Sequence, residues 1–68
     1  MYRLKYDAES DVLMIIVSDS GRLTHAEEMG YLIVHMNERG KPLFLEVLRA
    51  SRNIPLMIQA LAKKEVVT

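Results

Sequence analysis

A chain of 68 residues, 50% apolar and 26% charged, makes one domain near the lower size limit at which a single hydrophobic core outweighs the entropy of ordering it. With no cysteine a disulfide framework is excluded, and two separated histidines do not build a structural zinc site, so oligomerisation is the expected staple. The net charge of zero hides an asymmetry: residues 1–48 carry five basic and eight acidic groups, residues 49–68 four basic and one acidic.

No apolar run approaches the roughly 20 residues that span a bilayer, and Met1–Lys5 lacks the apolar core of a signal peptide, so a cytoplasmic protein is expected. Along the chain, residues 2–6 alternate apolar Tyr2, Leu4 and Tyr6 with Arg3 and Lys5. That period of two predicts an edge strand whose charges face water. The acidic break Asp7–Asp11 follows, where the Asp7 carboxylate is placed to accept from the amides of Glu9 or Ser10. Residues 12–17, VLMIIV, are apolar without interruption and predict a strand inside the sheet, covered on both faces and antiparallel to the first.

Residues 18–30 are polar and open on the turn signal Ser18-Asp19-Ser20-Gly21, so a loop with a short extended piece is expected. Thr24 and Glu27 have capping-box spacing, yet no apolar periodicity follows to sustain a helix. Strands over 31–36 and 42–48 are joined by Asn37–Lys41, with Gly40 suited to a left-handed turn position. Pairing Asn37 with Lys41 puts Tyr31, Ile33, His35, Leu43, Leu45 and Val47 on one face and Leu32, Val34, Met36, Pro42, Phe44, Glu46 and Leu48 on the other. A helix over 53–64, capped by Ser51 or Asn53 and with Pro55 in its first turn, repeats Ile54, Met57, Ile58 and Leu61 at i, i+3, i+4 and i+7. Ile58 and Leu61 are therefore expected in the core.

The expected fold is α+β, a four-stranded antiparallel meander with one C-terminal helix on one face. One helix covers one face, and the other must be exposed, buried by a second copy or kept for a partner. Leu32, Val34, Met36 and Phe44 are the candidate association surface.

Three segments, YDAESDVL at 6–13, GYLIVHMNERGK at 30–41 and LEVLRAS at 45–51, resemble the domain of unknown function 2283 family of very small prokaryotic proteins. The chain departs from that family's habit at His35, Asn37 and Arg39, where acidic residues are usual, and in its longer basic C-terminal helix. The resemblance carries no activity. It implies a partner-binding role, antitoxin-like, beside a small toxin-like protein.

The chemistry-bearing residues have plainer readings. Asp7, Glu9 and Asp11 open with calcium-loop spacing, but Val12 stands where that loop needs glycine and Ser18 where it needs a bidentate glutamate, so a solvated turn is expected. His25 and His35 lack metal-ligand spacing. Glu46 is the one carboxylate set in an apolar strand, read as an outward residue at a sheet edge or a partner of Arg49. Arg49, Arg52, Lys63 and Lys64 are the candidate phosphate contacts of a nucleic-acid-binding alternative, against a plain reading as a solvated helix face. No catalytic, cofactor or metal set is expected. The function expected is a self-associating interaction module, with a nucleic-acid-binding regulator and a small enzyme with an inter-subunit site as alternatives.

Overall fold

The computed structural model describes residues 2–63. It is an antiparallel sheet with one helix: β1 (Arg3–Asp7), β2 (Val12–Ile16), β3 (Leu23–Met29), β4 (Leu32–Asn37), β5 (Pro42–Leu48) and α1 (Ala50–Ala62). The strand order is β1-β2-β5-β4-β3. The α+β class, the antiparallel sheet and the C-terminal helix agree with the sequence reading. The sheet has five strands rather than four, and it is not a simple meander.

The fifth strand is β3, within the segment expected to be a loop. All seven of its residues are exposed, so no apolar alternation announces it. What makes it a strand is the free edge of β4, reached through the two-residue connection Gly30-Tyr31. Gly30 is left-handed at φ 63°, as the first position of a primed hairpin turn requires. With β3 on one edge of β4, β5 pairs with the other edge and presents its far side to β2.

The connection from β2 to β3 must then cross the end of the sheet, and Asn37 holds it there. The buried Asn37 side chain donates to the Ser20 carbonyl (3.1 Å) and accepts from the amides of Arg39 (2.9 Å) and Lys41 (3.0 Å). Glu38 accepts from the Arg22 amide at 3.0 Å. Gly21, at φ 91°, lies between, where a Cβ would run into Glu38 and Asn37.

Asn37 and Lys41 do bond through their backbones (2.9 Å), and Gly40 is left-handed at φ 73° as expected. The facing pattern nevertheless differs. A bulge at Leu43 makes Met36 face Pro42 while His35 faces Phe44, and that one-residue shift flips β5 relative to β4. Leu32 and Val34 therefore share a face with Leu45 and Val47, whereas Ile33 and His35 share the other with Phe44, Glu46 and Leu48.

The helix packs on the first of these faces, where Ala50, Ser51, Ile54 and Pro55 line a groove with Tyr6 and Leu13. It begins earlier than expected, at Ala50, so neither Ser51 nor Asn53 is its N-cap, and Pro55 falls beyond the first turn. Arg49, left-handed at φ 49°, takes the cap position without a side-chain hydrogen bond. Asn53 donates instead to the Leu48 carbonyl (2.8 Å). Ile54 and Met57 are half-buried, but Ile58 (61% exposed) and Leu61 (77% exposed) are not core, because the second half of the apolar stripe has no sheet beneath it. Among the described residues the buried apolar side chains are Leu43, Val47 and Ala50, all in or next to β5.

Candidate functional site

The helix-free face of the sheet has no element of the described chain packed over it. β2 contributes Val12, Met14 and Ile16, β5 contributes Phe44, Glu46 and Leu48, and β4 contributes Ile33 and His35. β2 was expected to be covered on both sides. Instead all five of its residues are half-buried, Leu13 and Ile15 on the helix side as much as Val12, Met14 and Ile16 on the other.

Two polar groups sit in the middle of this apolar field. His35 Nε2 and Glu46 Oε1 are 2.6 Å apart, and the imidazole stacks on the Phe44 ring with centroids 4.1 Å apart and planes 16° from parallel. Their side chains are 18% and 26% exposed, so each supplies the hydrogen-bond partner that a half-buried polar group needs. Glu46 is thus neither at a sheet edge nor paired with Arg49; it lies on the central strand and its partner is His35. This pair was not legible in the sequence, because the β4–β5 bulge decides that residues 35 and 46 share a face.

The edges of the face are charged, with Arg3, Lys5 and Asp7 on β1 and Glu28 on β3. On β1, Arg3 and Lys5 lie beside Ile16 and Met14, while on β3 Glu28 lies beside Ile33. Lys5, Asp7 and Ser10 with Val12, Met14 and Glu46 line a depression of about 440 Å³ along the β1 side. Of the candidate association residues, Phe44 alone belongs to this face. Leu32, Val34 and Met36 fall on the helix side through the register shift.

A second cluster joins the β1–β2 turn to the helix. Asp11, left-handed at φ 56°, accepts from Tyr6 Oη (2.6 Å), from the Ser51 amide (2.9 Å) and from Ser51 Oγ (2.7 Å), and its carbonyl accepts from the Ala50 amide (3.0 Å). A carboxylate placed on the free amides of the first helical turn acts as an N-cap supplied from 40 residues away in sequence. Those donors, Tyr6 first, hold the Asp11 carboxyl below the usual carboxylate range, and the same bond raises the Tyr6 phenol above its usual value. Asp7 behaves as expected, accepting from the Glu9 amide (3.1 Å) and from Ser10 Oγ (2.8 Å), and these two bonds lower its pKa. The acidic turn is a latch on the helix.

The basic set is divided. Arg49 and Arg52 line a cleft of about 550 Å³ with Tyr31, Asn53 and Leu56 at the start of the helix. Lys63 is the C-cap residue at its far end, about 20 Å away along the axis, and Lys64 lies outside the described residues. His25 is exposed on β3 with its Nδ1 2.9 Å from Thr24 Oγ1, and among the described residues no three His, Asp or Glu side chains are grouped to hold a metal. No helix among those residues is long and apolar enough to cross a membrane.

The family model described as "Protein of unknown function (DUF2283)" matches residues 3–51, which takes in the whole sheet and the Tyr6–Asp11–Ser51 latch. The chain belongs to this family. No curated protein and no solved structure matches it. Of the three segments that carry the resemblance, residues 6–13 and 45–51 hold the two halves of the latch, and residues 30–41 hold β4 and the turn into β5.

Proposed function

We propose that this member of the DUF2283 family is a small protein-interaction module that self-associates. The observation that carries the reading is the poverty of its own core: no residue of β1, β2 or β3 is fully buried, and three apolar side chains are. A single core of that size supplies at most about 3–5 kcal/mol, so the missing burial has to come from another surface. A second copy is the one partner that is always at hand.

The finer part of the reading is an antitoxin-like role toward a small toxin-like protein, supported by the family resemblance and by the surfaces that self-association leaves free. No catalytic step belongs to it. The nucleic-acid alternative is weakened because Arg49 and Arg52 stand a helix length from Lys63, which spreads the charge instead of concentrating it. Light scattering after size-exclusion chromatography, over a wide concentration range, tests the proposal. A concentration-independent dimer or larger assembly is expected, and a stable folded monomer throughout would refute it.

A further inference from the structure

Resting on that self-association, we infer that the helix-free face is where the second copy sits, packed face to face about a two-fold axis running along β5, so that β1 of each copy lies over β3 of the other. The apolar side chains that would meet the second copy form one field of half-buried residues, Val12, Met14, Ile16, Ile33, Phe44 and Leu48, over the three central strands.

Charge chooses the orientation. Two in-plane axes bring this face against itself. An axis across the strands sets β1 on β1 and β3 on β3, so that Lys5 meets Lys5 and Glu28 meets Glu28. An axis along the strands exchanges the two edges, because β5 is the middle strand of five. The register places Lys5, Met14, Glu46, Ile33 and Glu28 in one row across the sheet, so this second axis lays Lys5 over the second copy's Glu28, twice by symmetry. Aligned packing of two sheets about 10 Å apart keeps such rows in register within the reach of a lysine side chain. Because it runs along β5, this axis also sets Glu46 against Glu46 of the second copy, a like-charge meeting that each carboxylate enters already hydrogen-bonded to His35 of its own chain.

Zero-length carbodiimide cross-linking of the wild-type protein, with the linked peptides identified by mass spectrometry, is the test. Within one chain Lys5 and Glu28 are four strand spacings apart, about 19 Å, so a Lys5–Glu28 bond forms only between copies. That link is expected in the dimer. Lys5→Glu should weaken the dimer roughly five- to tenfold and adding Glu28→Lys should restore it, while Phe44→Lys should halve the mass. The Lys5 and Glu28 changes lie on exposed edge strands, so they read the interface without touching the core. A dimer that gives no Lys5–Glu28 link and withstands Phe44→Lys overturns the inference while leaving self-association standing. A Lys5–Lys5 link with an amine-specific reagent overturns the axis, and a monomeric wild type overturns both.

Discussion

The two faces of this sheet differ in make-up: on the central strands the helix side is apolar throughout, with Leu13, Ile15, Leu32, Val34, Leu45 and Val47, whereas the other mixes Val12, Met14, Ile16, Ile33, Phe44 and Leu48 with His35 and Glu46. On the helix side Val47, close to the start of α1, is 1% exposed, and its neighbours Leu13, Ile15, Leu32, Val34 and Leu45 are half-buried. On the other side none of these residues is more than half-buried. The covered side has an electrostatic latch as well, Asp11 on the first turn of the helix, whereas the open side has charge along its rims. A face closed within the chain uses its polar groups to fix one helix.

The sharpest way to break this contrast is to put a charge on each side in turn. Val47→Asp should unfold the protein at any concentration, since an unpaired buried carboxylate costs on the order of 4 kcal/mol, comparable with the whole stability of a domain this small. Circular dichroism would show loss of strand and helix signal. Phe44→Lys, one face over, should change the mass, and any loss of that signal should be recovered by raising the protein concentration. If both variants unfold alike, the two faces are parts of one core and the distinction drawn here is wrong.

A smaller effect is expected at the crossing that makes β5 central. Gly21→Ala combines a left-handed backbone with a Cβ aimed at Glu38 and Asn37, and should cost roughly 1–2 kcal/mol in denaturant unfolding. A neutral outcome would mean that this connection yields easily and does not hold β3 and β4 in place.

The smallest effect tests the latch through pH. Because the folded Asp11 carboxyl titrates below its unfolded value, its contribution is present above the usual carboxylate range and disappears as pH falls through the lowered folded value. Asp7 has the same sign. The melting temperature should therefore drop as the pH is taken from about 5 to about 2.5. Asp11→Asn keeps a side chain that tolerates the left-handed backbone, should lower the melting temperature at neutral pH, and should flatten the acid dependence. An unchanged acid slope in that variant would assign the dependence to Asp7.

Much of this architecture was legible from local pattern. Alternation in residues 2–6, the apolar run after the acidic turn and the left-handed glycine at residue 40 each express a preference between near neighbours. The edge strand and the left-handed glycine appear as expected, and the apolar run is a strand inside the sheet, though not one covered on both faces. β3 was not legible, because its residues are exposed on both faces and only the open edge of β4 makes them a strand. The Leu43 bulge was not legible either. It costs one residue of register and moves Leu32, Val34 and Met36 away from Phe44, so a candidate surface that reads as one patch is two.

By itself the sequence determined the α+β class, the two-strand opening and the antiparallel hairpin, all consequences of spacing and composition within short windows. Tertiary structure alone decided the strand order, the pairing of His35 with Glu46, the capping of the helix by Asp11 and which apolar residues lie bare. Each of those depends on contacts between residues far apart in the chain, and there a shift of one position in register exchanges the inside of a sheet for its outside.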